Sequence, residues 1–165
     1  RFWKIVSDFS LYAFNNAHSI SYAYSAYASA WMKTKFPVRF FSRLFNSGGG
    51  YYPLPVYIEE AKNCGLKLLP PDINLSNIGF TEENGSIRTG LIFIKGIGKK
   101  LSSLILKERG PGYTSLEDFI NRTRAGERDL SALMAVSAFN SIGYNGFSEK
   151  ELKKNWNNYL GFIPE

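Results

Sequence analysis

The sequence is poor in the residues that build redox and metal chemistry. Cys64 is its only cysteine, so no intrachain disulfide can form. His18 is its only histidine. One cysteine and one histidine cannot complete a zinc site, and no second histidine is left to serve Cys64 as a nucleophile's relay. A reduced, cytoplasmic protein is the expectation. Long apolar runs are also missing. The longest, residues 20–32 (ISYAYSAYASAWM), contains three serines and falls short of the roughly 20 residues needed to span a bilayer. No membrane partner is expected. The opening RFWKIVSDFS is mixed and charged, unlike a secretory leader, and Arg1 in place of Met reads as a fragment cut from a longer chain. No Asp-x-Asp pair occurs.

What the chain does hold is aromatic and basic. Apolar residues make up 44%, enough for a packed core. Thirteen Phe and ten Tyr suit a thick core or a surface that stacks on something flat. The net charge of +6 is unevenly spread. Residues 1–46 carry six Lys/Arg against Asp8, residues 47–94 three against five acids, and residues 95–165 eleven against eight. Two basic blocks flank an acidic middle. That pattern suits a polyanion touched at two places, or simply a basic protein without such a partner.

Periodicity predicts a mainly α fold. A helix runs from Ser19 to Lys35, with Tyr24, Tyr27 and Trp31 on one face and alanines on another. Having few polar residues, it is expected to be buried on most sides, its aromatics in a core. Pro37 opens a second helix to Phe45, and three glycines make residues 48–50 a loop. Further helices are predicted over 54–64, 99–109, 115–121, 128–139 and 148–160. Pro70 and Pro71 hold LKLLPPDINLS extended. Asn84-Gly85 predicts a type I′ β-hairpin, the one small β element.

The stretch IKGIGKKLSSLILKER, residues 94–109, carries the functional question. It fails the Walker pattern, because Phe93 stands where the first glycine belongs and Lys100 where Ser or Thr must hold magnesium. It fails the dinucleotide fingerprint at Leu101. A tight Gly96-Ile97-Gly98 bend with Ile97 turned inward fits better. The helix that follows starts with amides lacking intrahelical acceptors, at the positive end of the dipole. A backbone phosphate suits that position, with Lys95, Lys99 and Lys100 as counter-charge. Such contacts sense phosphate and not bases. The alternative is a glycine-bearing helix–helix turn with solvated lysines.

This motif resembles the helix-hairpin-helix element of DNA-binding proteins. Upstream, FNNAHSISYAYSAYASAWMKTKFPVRFFSRLFN is similar to a segment of the bacterial replicative DNA polymerase III alpha subunits, C-family polymerases. YIEEAKNCGLKLLPPDINLS, IRTGLIFIKGIG and LSALMAVSAFNSIG follow in that family's order, so the resemblance covers about residues 9–147. It implies that residues 1–70 are the end of the polymerase fingers and that residues 71–165 begin the helix-hairpin-helix, clamp-binding region. Phe14, Asn15, His18 and Tyr22 match the motif that faces the active-site cleft, with Asn15 and His18 as template or nucleotide contacts. Residues 130–152 would be a second, degenerate hairpin unit, weakened by Ser137 and Asn140 where the family has Gly and Asp.

The resemblance implies duplex DNA, the rest of the alpha subunit and a sliding clamp as partners. No Gln-led clamp-binding peptide is visible. The parent enzyme would use magnesium for nucleotidyl transfer. This chain has no paired palm aspartates, hence no cofactor of its own and no expected activity alone. The glycine-rich connection also resembles error-prone paralogues of the family. The competing functional class is a clamp- or subunit-docking module whose hairpin is purely structural.

Elsewhere, Lys33, Lys35, Arg39 and Arg43 form a basic series, read either as a phosphate track or as a solvated face. Arg122, Arg124 and Arg128 follow a helix end, where cations are favoured anyway. Adjacent Glu59 and Glu60 point apart on a helix and make no acid–base pair, and Cys64 is expected to be a buried small hydrophobe.

Overall fold

The computed structural model describes every residue except 1, 14, 15, 49, 145 and 165, and side chains outside residues 9–16. The chain forms two compact units, residues 1–37 and 38–165. The first contains α1 (Phe2–Ala13) and α2 (Asn16–Lys35). The helix over 2–13 is not anticipated by the sequence reading, whereas α2 is. Burial of α2 is not borne out: Tyr24 and Tyr27 are 75% and 70% exposed, and Trp31 is exposed as well. Two helices offer too little surface to enclose one of them. Trp31 instead packs edge-on against Phe36, at 5.7 Å between ring centres.

The second unit is built as α3 (Pro37–Asn46), α4 (Leu54–Asn63), β1 (Leu68–Leu69), β2 (Thr81–Glu83), β3 (Ser86–Arg88), a 3-10 turn (Leu91–Phe93), then α5 (Lys99–Glu108), α6 (Leu116–Thr123), α7 (Glu127–Ala135), a second 3-10 turn (Asn140–Ile142) and α8 (Glu149–Leu160). A mainly α fold is therefore correct. The predicted hairpin is present: β2 and β3 are antiparallel, with Asn84 at φ 48° and Gly85 at φ 78°. β1 adds a third strand parallel to β3 by pairing Leu68 with Ile87. Within this unit, Phe41, Phe45 and Ile58 share one apolar core with Ile87, Ile97 and Phe139.

Two aromatic chains thread that core. Phe41, Phe45, Phe80 and Phe93 stack in sequence at 5.9, 5.0 and 4.3 Å. Tyr113, Phe119 and Phe139 continue at 4.9 and 5.1 Å. The prolines of LPPDIN lead into a polar knot. Buried Asp72 accepts the amides of Asn74, Leu75 and Ser141 at 2.8, 3.2 and 3.0 Å. Asn74 in turn donates to the Tyr113 carbonyl and accepts the Tyr113 amide. At the one very close backbone approach, a Cβ on Gly90 would lie 2.3 Å from the Gly79 carbonyl carbon, so only glycine fits.

Two sequence expectations need correction. Cys64 is exposed, because it caps the end of α4, where the chain turns out to water before Gly65. α7 ends at Ala135, short of the predicted Phe139, because Ser137 turns left-handed at φ 58°. There the amides of Ser137 and Ala138 close the helix onto the Met134 and Leu133 carbonyls.

Ser137 occupies a conformation that glycine adopts without strain. Ser137→Gly is expected to raise unfolding stability by about 0.5–1 kcal/mol, read in urea titrations. Arg88, buried, donates to the Glu83 carboxylate and to the Pro70 carbonyl. The hydrogen bond from Arg88 holds the Glu83 pKa below its usual value, despite an opposing desolvation. A carboxylate lowered on folding stabilises above its unfolded pKa, and that stability disappears as pH falls through the folded value. Glu83→Gln should cost about 1–2 kcal/mol at pH 7 and flatten the loss of stability below about pH 4.5, measured by denaturation across pH.

Candidate nucleic-acid interface

The bend at residues 95–98 is shaped by what lies beneath it. Leu91 and Ile94 are buried under the 3-10 turn, and the Ile97 amide donates back to the Ile94 carbonyl at 2.9 Å. Ile97 is 3% exposed, while Lys95, Gly96, Gly98, Lys99 and Lys100 all stand in water. The inward plug is thus present, and the backbone on both sides of it is open. α8 fixes the bend from the other side. The Tyr159 carbonyl, one of the carbonyls left over in its last turn, accepts the Lys95 amide at 2.8 Å.

The two glycines do different work. Gly96 has φ 97°, a conformation in which any other residue is strained, and a Cβ there would meet Ala132 of α7 at 3.9 Å. Gly98 has φ −87° and ψ 169°, ordinary extended backbone, and a Cβ there would enter open space. The fold requires glycine at 96 and not at 98. At 98 its effect is to leave the approach to the helix start unobstructed.

α5 begins at once after Gly98, which caps it with no side-chain hydrogen bond. The first helical bond runs from the Ser102 amide to the Gly98 carbonyl at 3.0 Å. The amides of Lys99, Lys100 and Leu101 therefore lack intrahelical acceptors, at the positive end of the dipole. No acid occupies the first turn. Ser102 and Ile105 are buried and Leu101 and Leu104 half-buried, which sets the helix axis against the core. Lys95, Lys99 and Lys100 form no ion pair with any other described residue.

The other predicted positions are more dispersed. Asn15, with Phe14, lies outside the described residues. His18 is exposed on α2, its ring 4.4 Å from Tyr22. Lys33 and Lys35 lie in the last turn of α2, while Arg39 and Arg43 lie one turn apart on α3 of the other unit. Arg39 donates to Glu82 at 3.1 Å, a partner the sequence reading does not foresee. Arg122 is structural. It donates to Asp118 and to the Gly112 carbonyl, each at 3.1 Å, and lies 4.6 Å over the Tyr113 ring. Arg124 caps α6 in a left-handed conformation. Arg128 faces a cleft beside the bend, together with Lys95 and Gly96. Its spacing from the hairpin in sequence carries no hint of that nearness.

A family model described as helix-hairpin-helix motif matches residues 65–147. The chain is 33% identical over 160 residues to the DNA polymerase III subunit alpha of Aquifex aeolicus, covering 93% of this chain and 13% of that protein. It is 35% identical over 151 residues to the Xylella fastidiosa (strain Temecula1) protein of the same name, covering 87% and 13%. With the Campylobacter jejuni protein, also of that name, it shares 33% over 165 residues, covering 94% and 14%. The chain thus spans about one-eighth of the length of these curated relatives.

The glycine asymmetry is open to direct measurement. Gly98→Ala is expected to leave the melting temperature within a degree or two, since both backbone and space accept it. Gly96→Ala should cost about 1–2 kcal/mol, and Ile97→Ala about 2–4 kcal/mol as a core truncation, all by thermal and urea unfolding.

Proposed function

This chain belongs to the helix-hairpin-helix family and is a relative of DNA polymerase III alpha subunits, and from that premise we propose that it binds duplex DNA through backbone phosphates, without reading sequence. The observation that carries this reading is the start of α5. Three amides without intrahelical acceptors open the helix beside three lysines that form no ion pair with any described residue, with the adjoining Ile97 locked in the core. Backbone N–H groups at a helix start match the oxygens of a phosphate diester. The lysines add attraction that reaches over a Debye length, about 8–10 Å at ordinary ionic strength. None of these groups discriminates one base from another.

In this reading residues 1–70 are the end of a polymerase fingers region and residues 71–165 begin the duplex-holding region behind it. Asn15 and His18 then serve as contacts to template or incoming nucleotide, and Lys33, Lys35, Arg39 and Arg43 as weaker phosphate contacts. The parent is a magnesium-dependent nucleotidyltransferase of the cytoplasm, with the remainder of the alpha subunit and the sliding clamp as partners. The chemistry lies elsewhere in that parent. Of the four aspartates here, Asp72 spends both oxygens on backbone amides and Asp118 is held by Arg122 and Thr114. Neither of them fits a metal ligand, and no two of the four are paired in sequence. This chain grips the product and does not make it.

Titration of a mixed-sequence duplex, followed by fluorescence anisotropy, tests the reading. Affinity should fall steeply between about 50 and 200 mM salt, with a logarithmic slope near −0.9 for each phosphate engaged. Lys99→Glu with Lys100→Glu should weaken binding roughly 100-fold while the circular dichroism spectrum is unchanged. Salt-insensitive binding, or full affinity in that double variant, would leave the docking-module reading in its place.

A further inference from the structure

Beside the bend lies a cleft of about 570 Å³ that the helix start of α5 does not use. Its floor is Gly96 and Ala132, and around it stand Lys95, Arg128 and Asn158. Arg128 and Ala132 are one turn apart on α7, so the same helix face supplies the floor and the guanidinium. Arg128 is exposed and makes no hydrogen bond or ion pair with another described residue. Its neighbours Glu127 and Asp129 stand about 100° to either side on the helix and do not line the cleft. One opposing charge exists. The last turn of α8 presents carbonyls worth about half a negative charge. Two full cations outweigh it, and the Tyr159 carbonyl is already occupied by the Lys95 amide.

We propose that this cleft is a second phosphate subsite, in which Arg128 and Lys95 hold the backbone phosphate next to the one bound at the start of α5. The proposal rests on the duplex-binding reading above. What ties the two subsites together is that Lys95 and Gly96 belong to both, so an anion in the cleft is continuous with one on the bend. A nucleic-acid strand, carrying a phosphate about every 3.4 Å of helix axis, supplies such a pair from one molecule. A guanidinium fits the second position better than an ammonium, because its planar fork meets two oxygens of one phosphate. The carboxamide of Asn158 is placed to donate to the same group.

The test uses the full chain and a mixed-sequence duplex of about 20 base pairs. Arg128→Ala is expected to lower affinity about fivefold to tenfold near 100 mM salt and to reduce the salt slope by about one, with the melting temperature unchanged. Arg128→Lys should keep the slope while recovering only part of the affinity, and Asn158→Ala should weaken binding without moving the slope. Wild-type slope and affinity in Arg128→Ala would overturn the subsite. If Lys99→Glu/Lys100→Glu abolishes binding in the same series, that failure is confined to the cleft. If that double variant also binds normally, or if the unmodified chain binds no duplex, the underlying reading fails with it. Equal displacement of the duplex by polyglutamate would reassign the cleft to an acidic protein.

Discussion

The burial of one side chain, Ile97, sets the geometry on which the candidate interface depends. A bend of small residues facing water has no reason to hold one shape, since backbone freedom is lost with nothing gained. Ile97 changes that balance. Its side chain adds roughly 1.5–3 kcal/mol of apolar burial at the centre of the bend, and its amide donates to the Ile94 carbonyl just after the 3-10 turn. The residues on either side are then forced outward. Gly96 accepts the positive φ this demands, and the α5 amides end up aimed at solvent without a side-chain cap. A helix start left open in this way is normally a defect. Here it is held rigid by the core below it, which is the condition for an anion site that needs no reordering on binding.

That core is supported at a distance by polar contacts as much as by aromatic ones. The Asp72 carboxylate receives amides from its own loop and from Ser141, some seventy residues further along the chain. Ser76 passes the connection on by donating to the Thr89 carbonyl, at the end of β3. The strand leads within a few residues into the 3-10 turn that carries Leu91 and Ile94. Buried polar groups of this kind are costly unless each is satisfied, and these are. They tie the proline-rich segment, the small sheet and the turn after α7 to the same frame as the bend.

Much of this was legible in the sequence because it is local. The I′ turn at Asn84-Gly85 and the inward Ile97 both depend on residues within a few positions of one another. The failures are of two other kinds. Exposed Tyr24, Tyr27 and Trp31 look like core residues, and composition cannot reveal that this face of the helix stays exposed. The Arg39–Glu82 pair and the meeting of Arg128 with Lys95 join positions more than thirty apart, and no periodicity encodes them. Ser137 lies between these cases. A serine seldom announces a left-handed turn, so the early end of α7 was hidden by the residue type itself.

The charge distribution gains a physical meaning once the partners are known. An acidic middle between basic flanks would be expected to repel a polyanion from half of the surface. Yet Glu82 is engaged by Arg39, Glu83 by Arg88 and Asp72 by backbone amides, so three of the five acids of that block are turned to internal use. The pairing engages Arg39, at the surface, and Arg88, but none of Lys95, Lys99, Lys100 or Arg128. The fold thereby uses Arg39 and Arg88 to engage carboxylates at the sheet, while Lys95, Lys99, Lys100 and Arg128 near the bend form no ion pair with any described residue. In the proposed reading, long-range attraction by the net charge would bring a duplex near, and the amides at that bend would set where its phosphates rest.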